Sequence, residues 1–166
     1  MIKIKKWGLA LALPMLLLAC TQERGPCLTP KTASFNIVCV HLTTDTGTIP
    51  VDTTLPAAVF GAVTQGGNKL LVYAQSAKFT ISLASNADSC TWLFTTDSLY
   101  HPFDTINFYY KRELQFLSNA CGYAYFYNLD TFHITHHNID SAHLLARSIT
   151  NDINTTQFQI YIHPDF

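Results

Sequence analysis

Apolar and polar residues alternate with a period of two along most of this chain, and Val, Ile, Thr, Phe and Tyr dominate the alternating runs. Such runs, separated by clusters of Asn, Asp, Gly and Ser, are typical of half-buried β-strands. We therefore predict strands at residues 33–42, 69–75, 78–84, 90–96, 104–111, 113–117, 122–128, 131–136, 141–149 and 156–162. Without helices between them, these strands predict an all-β domain, an antiparallel β-sandwich of the immunoglobulin-like type.

Turn-forming residues mark the breaks between the strands. The clearest breaks are predicted at 87–89, 128–130 and 151–154. The Gln-Gly-Gly-Asn sequence at 65–68 is expected to form a hairpin turn, because glycine tolerates positive φ. Segment 140–147 has two interpretations. Its Ala and Leu residues favour a helix, whereas the flanking Ile139 and Ile149 favour a strand, which is the state we predict.

The first nineteen residues have the three parts of a secretory signal peptide. Three lysines precede an apolar run over residues 9–18, which is too short for a transmembrane anchor of about 20 residues. The run ends in Leu-Leu-Ala-Cys, which resembles the bacterial lipobox. We therefore predict cleavage before Cys20 and attachment of lipid to Cys20, which would hold the chain at a membrane. The alternative is an ordinary signal peptide that ends by chance at a cysteine.

This interpretation divides the chain into three parts. Residues 1–19 are the signal peptide, which we expect to be helical. Residues 20–31 carry the lipidated cysteine and a tether containing Gly and Pro, and residues 32–166 form one sandwich domain. We expect the protein in the cell envelope, lipid-anchored at the outer membrane, on a face that the sequence does not specify.

Four cysteines remain once Cys20 is assigned to lipid. In an exported chain they predict two disulfides, and three pairings of Cys27, Cys39, Cys90 and Cys121 are possible. We favour Cys27–Cys121 together with Cys39–Cys90. The alternative is that one or more of them are free, buried thiols. No pair has the close spacing that is typical of zinc ligands.

Charge and motif content argue against several classes of function. The chain has ten basic and eleven acidic residues, and removal of the three signal lysines leaves 7 − 11 = −4, without the basic patch of a nucleic-acid binder. There is no nucleophile-elbow motif. Only two glutamates occur, and nearly all aspartates lie at predicted turns, where they bond the local backbone. We predict no catalytic residues and no cofactor.

Histidines are densest at His133, His136 and His137. Neighbouring residues of a strand point to opposite faces, and His133 and His137 would lie about 13 Å apart on one face. Neither pair can chelate an ion unaided, so we predict no metal site.

Tyrosines alternate at Tyr123, Tyr125 and Tyr127, which places all three on one face of a strand with Phe126 on the other. A tyrosine row on an exposed sheet can bind glycan or another ligand, because tyrosine is amphipathic and rigid. The alternative interpretation is ordinary packing between strands.

Several short motifs, in the same order, resemble those of a family of small Bacteroidota lipoproteins of unknown function. Besides the lipobox, they are Cys27-Leu28-Thr29-Pro30, Phe35-Asn36-Ile37-Val38, Thr96-Asp97-Ser98-Leu99 and a Tyr-x-Arg-x-x-x-Phe-x-Ser-x-x-Cys-Gly run at 110–122. The resemblance spans most of the chain after the signal. It implies a β-sandwich and a Cys27–Cys121 disulfide, whereas Cys39 and Cys90 lie outside the pattern.

The resemblance also implies that the partner is an outer-membrane barrel or another envelope protein. The family supplies no activity and no functional residues. We therefore expect a non-catalytic binding or accessory module of the envelope. The alternatives are a glycan- or ligand-binding module that uses the tyrosine face and, less favoured by the motifs, an envelope hydrolase.

Overall fold

The computed structural model describes residues 25–42, 50–52, 55, 57–63, 69–73, 77–97, 99 and 102–163. These residues form strands and connections, with no helix among them. The strands are β1 Phe35–Leu42, β2 Pro50–Asp52, β3 Val59–Val63, β4 Lys69–Tyr73, β5 Lys78–Ile81, β6 Ser89–Thr95, β7 Asp104–Ser118, β8 Gly122–Ile134, β9 Ile139–Leu144, β10 Ser148–Ile149 and β11 Phe158–Ile162. The predicted signal helix and Cys20 lie outside the described residues.

The strands form two sheets. The first has the order β2-β1-β11-β9, with β5 also paired to β1, and the second has the order β10-β8-β7-β6-β3-β4. Every pair is antiparallel except β1 with β11. The predicted all-β sandwich is confirmed. Its strand order differs from the immunoglobulin order, because β6, β7 and β8 are successive neighbours in one sheet.

Aromatic rings fill the space between the sheets. Phe35 of β1 and Phe158 of β11 meet Phe108 of β7, with ring centroids 4.9 and 5.1 Å apart. Phe60 of β3 meets Phe79 of β5 at 5.2 Å. Because alternate residues of a strand share a face, the period-two pattern places these rings on the inner face of each sheet.

Two predicted strand breaks are absent from the longest hairpin. The strands predicted at 104–111 and 113–117 are one strand, β7, and those at 122–128 and 131–136 are joined in β8. The break predicted at 128–130 is a register shift, since Tyr109 pairs with Thr131 and Tyr110 pairs with Leu129. Asp130 is therefore the extra residue of a β-bulge, which the paired strand tolerates without ending.

Segment 141–149 was predicted as one strand and contains two. β9 pairs with β11 in the first sheet, and β10 pairs with β8 in the second sheet. The chain changes sheets between them, so no single strand can span the segment, and the helical alternative is not adopted. β2 and β3 were not predicted: β2 has only three residues and begins at Pro50, and Gly61 weakens the strand pattern of β3.

The predicted breaks at 87–89 and 151–154 fall at connections between strands, β6 beginning at Ser89. The hairpin turn predicted at 65–68 lies outside the described residues. The strands on either side of it, β3 and β4, pair antiparallel from Val63 and Lys69 onward, as a hairpin requires.

The disulfide predicted between Cys39 and Cys90 is wrong, because both residues are free thiols. Cys90 pairs with Phe108 in the β6–β7 ladder, and Phe108 meets Phe35 across the core. Cys39 lies four residues beyond Phe35, about 13 Å farther along β1, whereas a disulfide requires Cα atoms within about 7 Å. Burial raises the pKa of Cys39 and raises that of Cys90 to about 11, so both thiols stay protonated at neutral pH.

The described part of the predicted tether is attached to the domain. Cys27 forms the predicted disulfide with Cys121, and the Pro30 carbonyl accepts a hydrogen bond of 3.2 Å from the Asn151 side chain. The Ser34 N–H then donates to the Thr150 carbonyl at 2.8 Å, next to the first strand. The described residues contain no helix that could span a membrane.

Candidate functional site

The outer half of the β7–β8 hairpin extends past the rest of its sheet. β6 pairs with β7 only as far as the Ser89–Tyr109 pair, whereas β7 and β8 stay paired to Ser118 and Gly122. We call residues 111–126 the hairpin arm. Beyond a hydrogen bond from the Tyr110 N–H to the Asp88 carbonyl, the outer edge of β7 has no strand partner among the described residues.

One face of the arm is apolar and exposed to solvent. Leu114 pairs with Tyr125 and Phe116 pairs with Tyr123, and residues directly opposite in a ladder share a face. These four side chains, which we call the arm face, are 56%, 41%, 55% and 63% exposed in that order. The Phe116 and Tyr123 rings pack edge to face with centroids 5.3 Å apart. A contiguous exposed apolar patch is a common mark of an interaction surface.

The predicted row of three tyrosines is only partly formed. Tyr123 and Tyr125 share the arm face, but Tyr127 is buried. Its ring meets the Tyr110 ring at 5.4 Å, and its hydroxyl donates to the Leu83 carbonyl at 3.4 Å. The β5–β6 connection therefore covers the row at its inner end.

Burial raises the pKa of Tyr110 and that of Tyr127 above the ordinary tyrosine value. Their hydroxyl groups thus stay protonated and act as hydrogen-bond donors to the β5–β6 connection. Tyr110 and Tyr127 are structural, whereas Tyr123 and Tyr125 remain open to a ligand.

Salt-bridged side chains and an open groove mark the base of the arm. Arg112 Nε donates to Asp88 Oδ1 at 2.7 Å, and Arg112 Nη1 donates to the Ser85 carbonyl at 2.9 Å. A groove of about 720 Å³ runs beside this pair and is lined by tyrosines, charged side chains and part of the arm face: Tyr109, Tyr110, Lys111, Leu114, Tyr125 and Asp130, besides Asp88 and Arg112. Aromatic rings beside charged groups suit a polar ligand with apolar faces.

The arm tip is closed by a tight turn and a covalent bond. Gly122 has φ of 71°, a conformation that only glycine adopts without strain. The Cys121 N–H donates to the Ser118 hydroxyl at 3.0 Å, and Cys121 Sγ is bonded to Cys27. The tip is thereby fixed to the segment that leads toward Cys20.

The one fully buried carboxylate, among the residues described, lies at the opposite end of β7. Asp104 accepts hydrogen bonds from the Thr135 hydroxyl and from the N–H groups of His137, Asn138 and Ile139. Burial alone would raise the pKa of Asp104, but these donors outweigh it and hold the pKa below its ordinary value. The carboxylate fixes the start of β7 to the β8–β9 connection, which is a structural role.

Potential metal ligands are scattered. In the described ranges no three His, Cys, Asp or Glu side chains converge on one point. His136 is engaged with the Ile139 carbonyl at 3.0 Å, and the His133 ring packs on Tyr109. The arm face is therefore the surface that the structure offers as a candidate site.

Sequence patterns missed half of the arm face. Leu114 and Phe116 fall in a predicted strand but were not singled out as binding residues. The sequence does contain a pattern that could have indicated Leu114 and Phe116, since residues 114–129 contain no Asp, Glu, Lys, Arg or His. Exposed apolar side chains within so long an uncharged stretch are unusual in a folded domain, because surfaces are normally rich in charge.

The fold and site define a β-sandwich with a projecting, disulfide-fixed hairpin. The model of DUF6452, a family of unknown function, matches residues 57–162, and the chain belongs to this family. No curated protein and no solved structure matches it. Membership in a family of unknown function is thus confirmed, and the match includes the 110–122 run. The lipobox and the Cys27 motif lie outside it.

Proposed function

We propose that this protein is a lipid-anchored module of the cell envelope that binds or supports another envelope component and catalyses no reaction. The arm face carries the proposal: it is apolar, exposed and joined through the Cys27–Cys121 bond to the segment after Cys20. The anchor itself rests on the signal-like first nineteen residues and the Leu-Leu-Ala-Cys motif. We propose the outer membrane as the location.

The anchor is tested by labelling cells with an alkyne-tagged fatty acid and separating their membranes. The wild-type protein should carry label, lack residues 1–19 and sediment with the outer membrane. Cys20→Ser should lose label and keep the signal. Thr21→Ser, one residue away, is the matched control and should behave as wild type. An unlabelled wild-type chain in the soluble fraction would disprove the anchor.

The binding surface is tested by photo-crosslinking in intact cells. A photoreactive residue at Phe116 should give one defined adduct, whereas the same residue at Leu99 should give none. Leu99 is the matched control, because it is 78% exposed and lies in the β6–β7 connection, away from the arm. Equal crosslinking from both positions, or no adduct with either protein or lipid from Phe116, would contradict a role for the arm face.

A glycan- or ligand-binding module is the second candidate, and the groove at the arm base favours it. Tyr109, Tyr110 and Tyr125 line this groove beside Lys111 and Asp130. Calorimetric titration with envelope glycans should then show binding that Tyr125→Ala abolishes and Tyr161→Ala, on the other sheet, leaves unchanged. Absence of heat with every glycan would remove this candidate.

A further inference from the structure

Covalent structure holds the arm tip close to the proposed lipid anchor. Cys27 is bonded to Cys121 at the tip and follows Cys20 by 27 − 20 = 7 residues. Seven residues reach at most about 25 Å when fully extended, and a flexible linker of that length averages about 15 Å. The other end of β7, at Asp104, lies about 48 Å from the tip along the strand. The tip is therefore the end of the hairpin that the anchor would keep at the bilayer.

The composition of the same end suits a membrane surface. Residues 114–129 lack any charged side chain or histidine, so none of them would oppose transfer from water into the lipid headgroups. Leu28, next to Cys27, adds an apolar side chain that is 88% exposed. Charged residues resume at Glu113, Arg112 and Lys111, farther from the tip.

The side chains of the arm face are those that favour the boundary between lipid and water. Tyrosine is enriched there, because its ring lies among apolar groups while its hydroxyl reaches headgroups and water. The hydroxyl groups of Tyr123 and Tyr125 bond no other described residue, so they are free to do so. Phe116 and Leu114 supply apolar groups between them.

We infer that the arm face inserts into the headgroup region of the bilayer that holds Cys20, as a second attachment beside the lipid. The inference rests on the lipid anchor of the proposed function and names the bilayer as the component that the arm face binds. Two attachments about 15 Å apart would restrict rotation of the sandwich and present the opposite end, near Asp104, away from the membrane. Because the part of the arm beyond Glu113 carries no charge, its insertion requires no anionic lipid.

Tryptophan fluorescence of the lipidated full chain, reconstituted into phosphatidylethanolamine and phosphatidylglycerol vesicles, tests the inference. Phe116→Trp and, independently, Tyr123→Trp report on the arm face, and Leu99→Trp is the matched control at the far end of β7. Trp92 is buried and gives all variants the same background, and Trp7 is removed with residues 1–19 when the lipidated chain is processed. On vesicles, position 116 should be quenched by brominated acyl chains and become about fivefold less accessible to iodide, whereas position 99 should not change.

Quenching should be the same in phosphatidylcholine vesicles and at high salt, because none of the four arm-face side chains is charged. A chain that floats with the vesicles while positions 116 and 123 stay as accessible to iodide as position 99 would overturn the inference and leave the anchor intact. A protein crosslinked at Phe116, with no lipid quenching, would also overturn it. If Cys20 carries no lipid and the chain does not float, the anchor and the inference both fail.

Discussion

The inner and outer halves of the β7–β8 hairpin use similar residues in opposite surroundings. In β7, Phe108 and Phe116 lie on the same side of one strand, eight residues apart. Phe108 is fully buried between the sheets, whereas Phe116 is more than half exposed. Tyr127 and Tyr125 of β8 differ in the same way. These side chains differ in exposure because the first sheet and the β5–β6 connection cover only the inner half of the hairpin.

This contrast shows that a period-two pattern predicts which side chains share a face of the strand, but not whether that face is buried. A period-two pattern continues through both halves because the strands continue. On this face of the hairpin, burial ends where the opposing sheet ends, and beyond Arg112 the side chains are again apolar. Five predictions, taken from the largest expected effect to the smallest, test whether the buried and the exposed half of the hairpin contribute differently to the free energy of unfolding.

Phe108→Ala should have the largest effect, a loss of about 4 kcal/mol from the free energy of unfolding, because it leaves a cavity among packed rings. Its ring contacts Phe35 and Phe158. Urea unfolding followed by circular dichroism measures the loss. A loss below about 1 kcal/mol would show that the inner half is not packed as described.

Removal of the tip disulfide by Cys27→Ser with Cys121→Ser should cost about 3 kcal/mol, because the bond closes a loop with a sequence separation of 94. The double variant should unfold at lower urea than the wild type, and reductant should shift the wild type to the same midpoint. Cys39→Ala is unsuitable as a control because it is buried in the core. Identical midpoints with and without reductant would contradict the bond.

Asp104→Asn should cost about 2 kcal/mol at neutral pH, because the carboxylate accepts hydrogen bonds from several neutral donors. The pKa of Asp104 is lowered on folding, so its contribution is complete above the unfolded value near pH 4 and disappears as the pH falls through the lower folded value. The difference between wild type and variant should therefore shrink below about pH 4. A difference that grows on acidification would be inconsistent with this sign.

Tyr110→Phe should cost about 1.5 kcal/mol, because the buried hydroxyl donates to the Ala84 carbonyl and accepts from the Ala84 N–H, both at 3.1 Å. Tyr123→Phe removes an equivalent hydroxyl from the exposed arm face and should leave the free energy of unfolding unchanged. Both are read from urea midpoints. Equal losses for the two variants would mean that the outer tyrosine is also engaged.

Phe116→Ala should have the smallest effect, below about 0.5 kcal/mol in detergent-free solution, since its side chain is largely exposed. It is the matched counterpart of Phe108→Ala. If the arm face binds the bilayer, the same substitution should weaken the protection that vesicles give position 123 against iodide, while the free energy of unfolding stays unchanged. A loss comparable to that of Phe108→Ala would indicate that something in the fold covers the arm.

The strand pattern and turn residues were sufficient to predict the all-β sandwich and most strands, and the family resemblance implied the Cys27–Cys121 bond, which is confirmed. They were insufficient where one pattern has two outcomes. The Asn-Leu-Asp sequence at 128–130 can end a strand or form a bulge. It forms a bulge because β8 stays paired with the neighbouring strand β7 on both sides of it. Segment 141–149 reads as one strand, but its two parts pair in different sheets.

The sequence likewise determined one part of the candidate site, and the tertiary structure determined the rest. The sequence by itself determined that Tyr123 and Tyr125 share a face, because alternation is a local property of the extended backbone. Only the tertiary structure decided that Tyr127 leaves this surface, that Leu114 and Phe116 join it, and that Cys39 and Cys90 are too far apart to bond. The physical reason is that the burial of a side chain and the distance between two cysteines depend on residues far away in the chain, which meet only when the sheets pack.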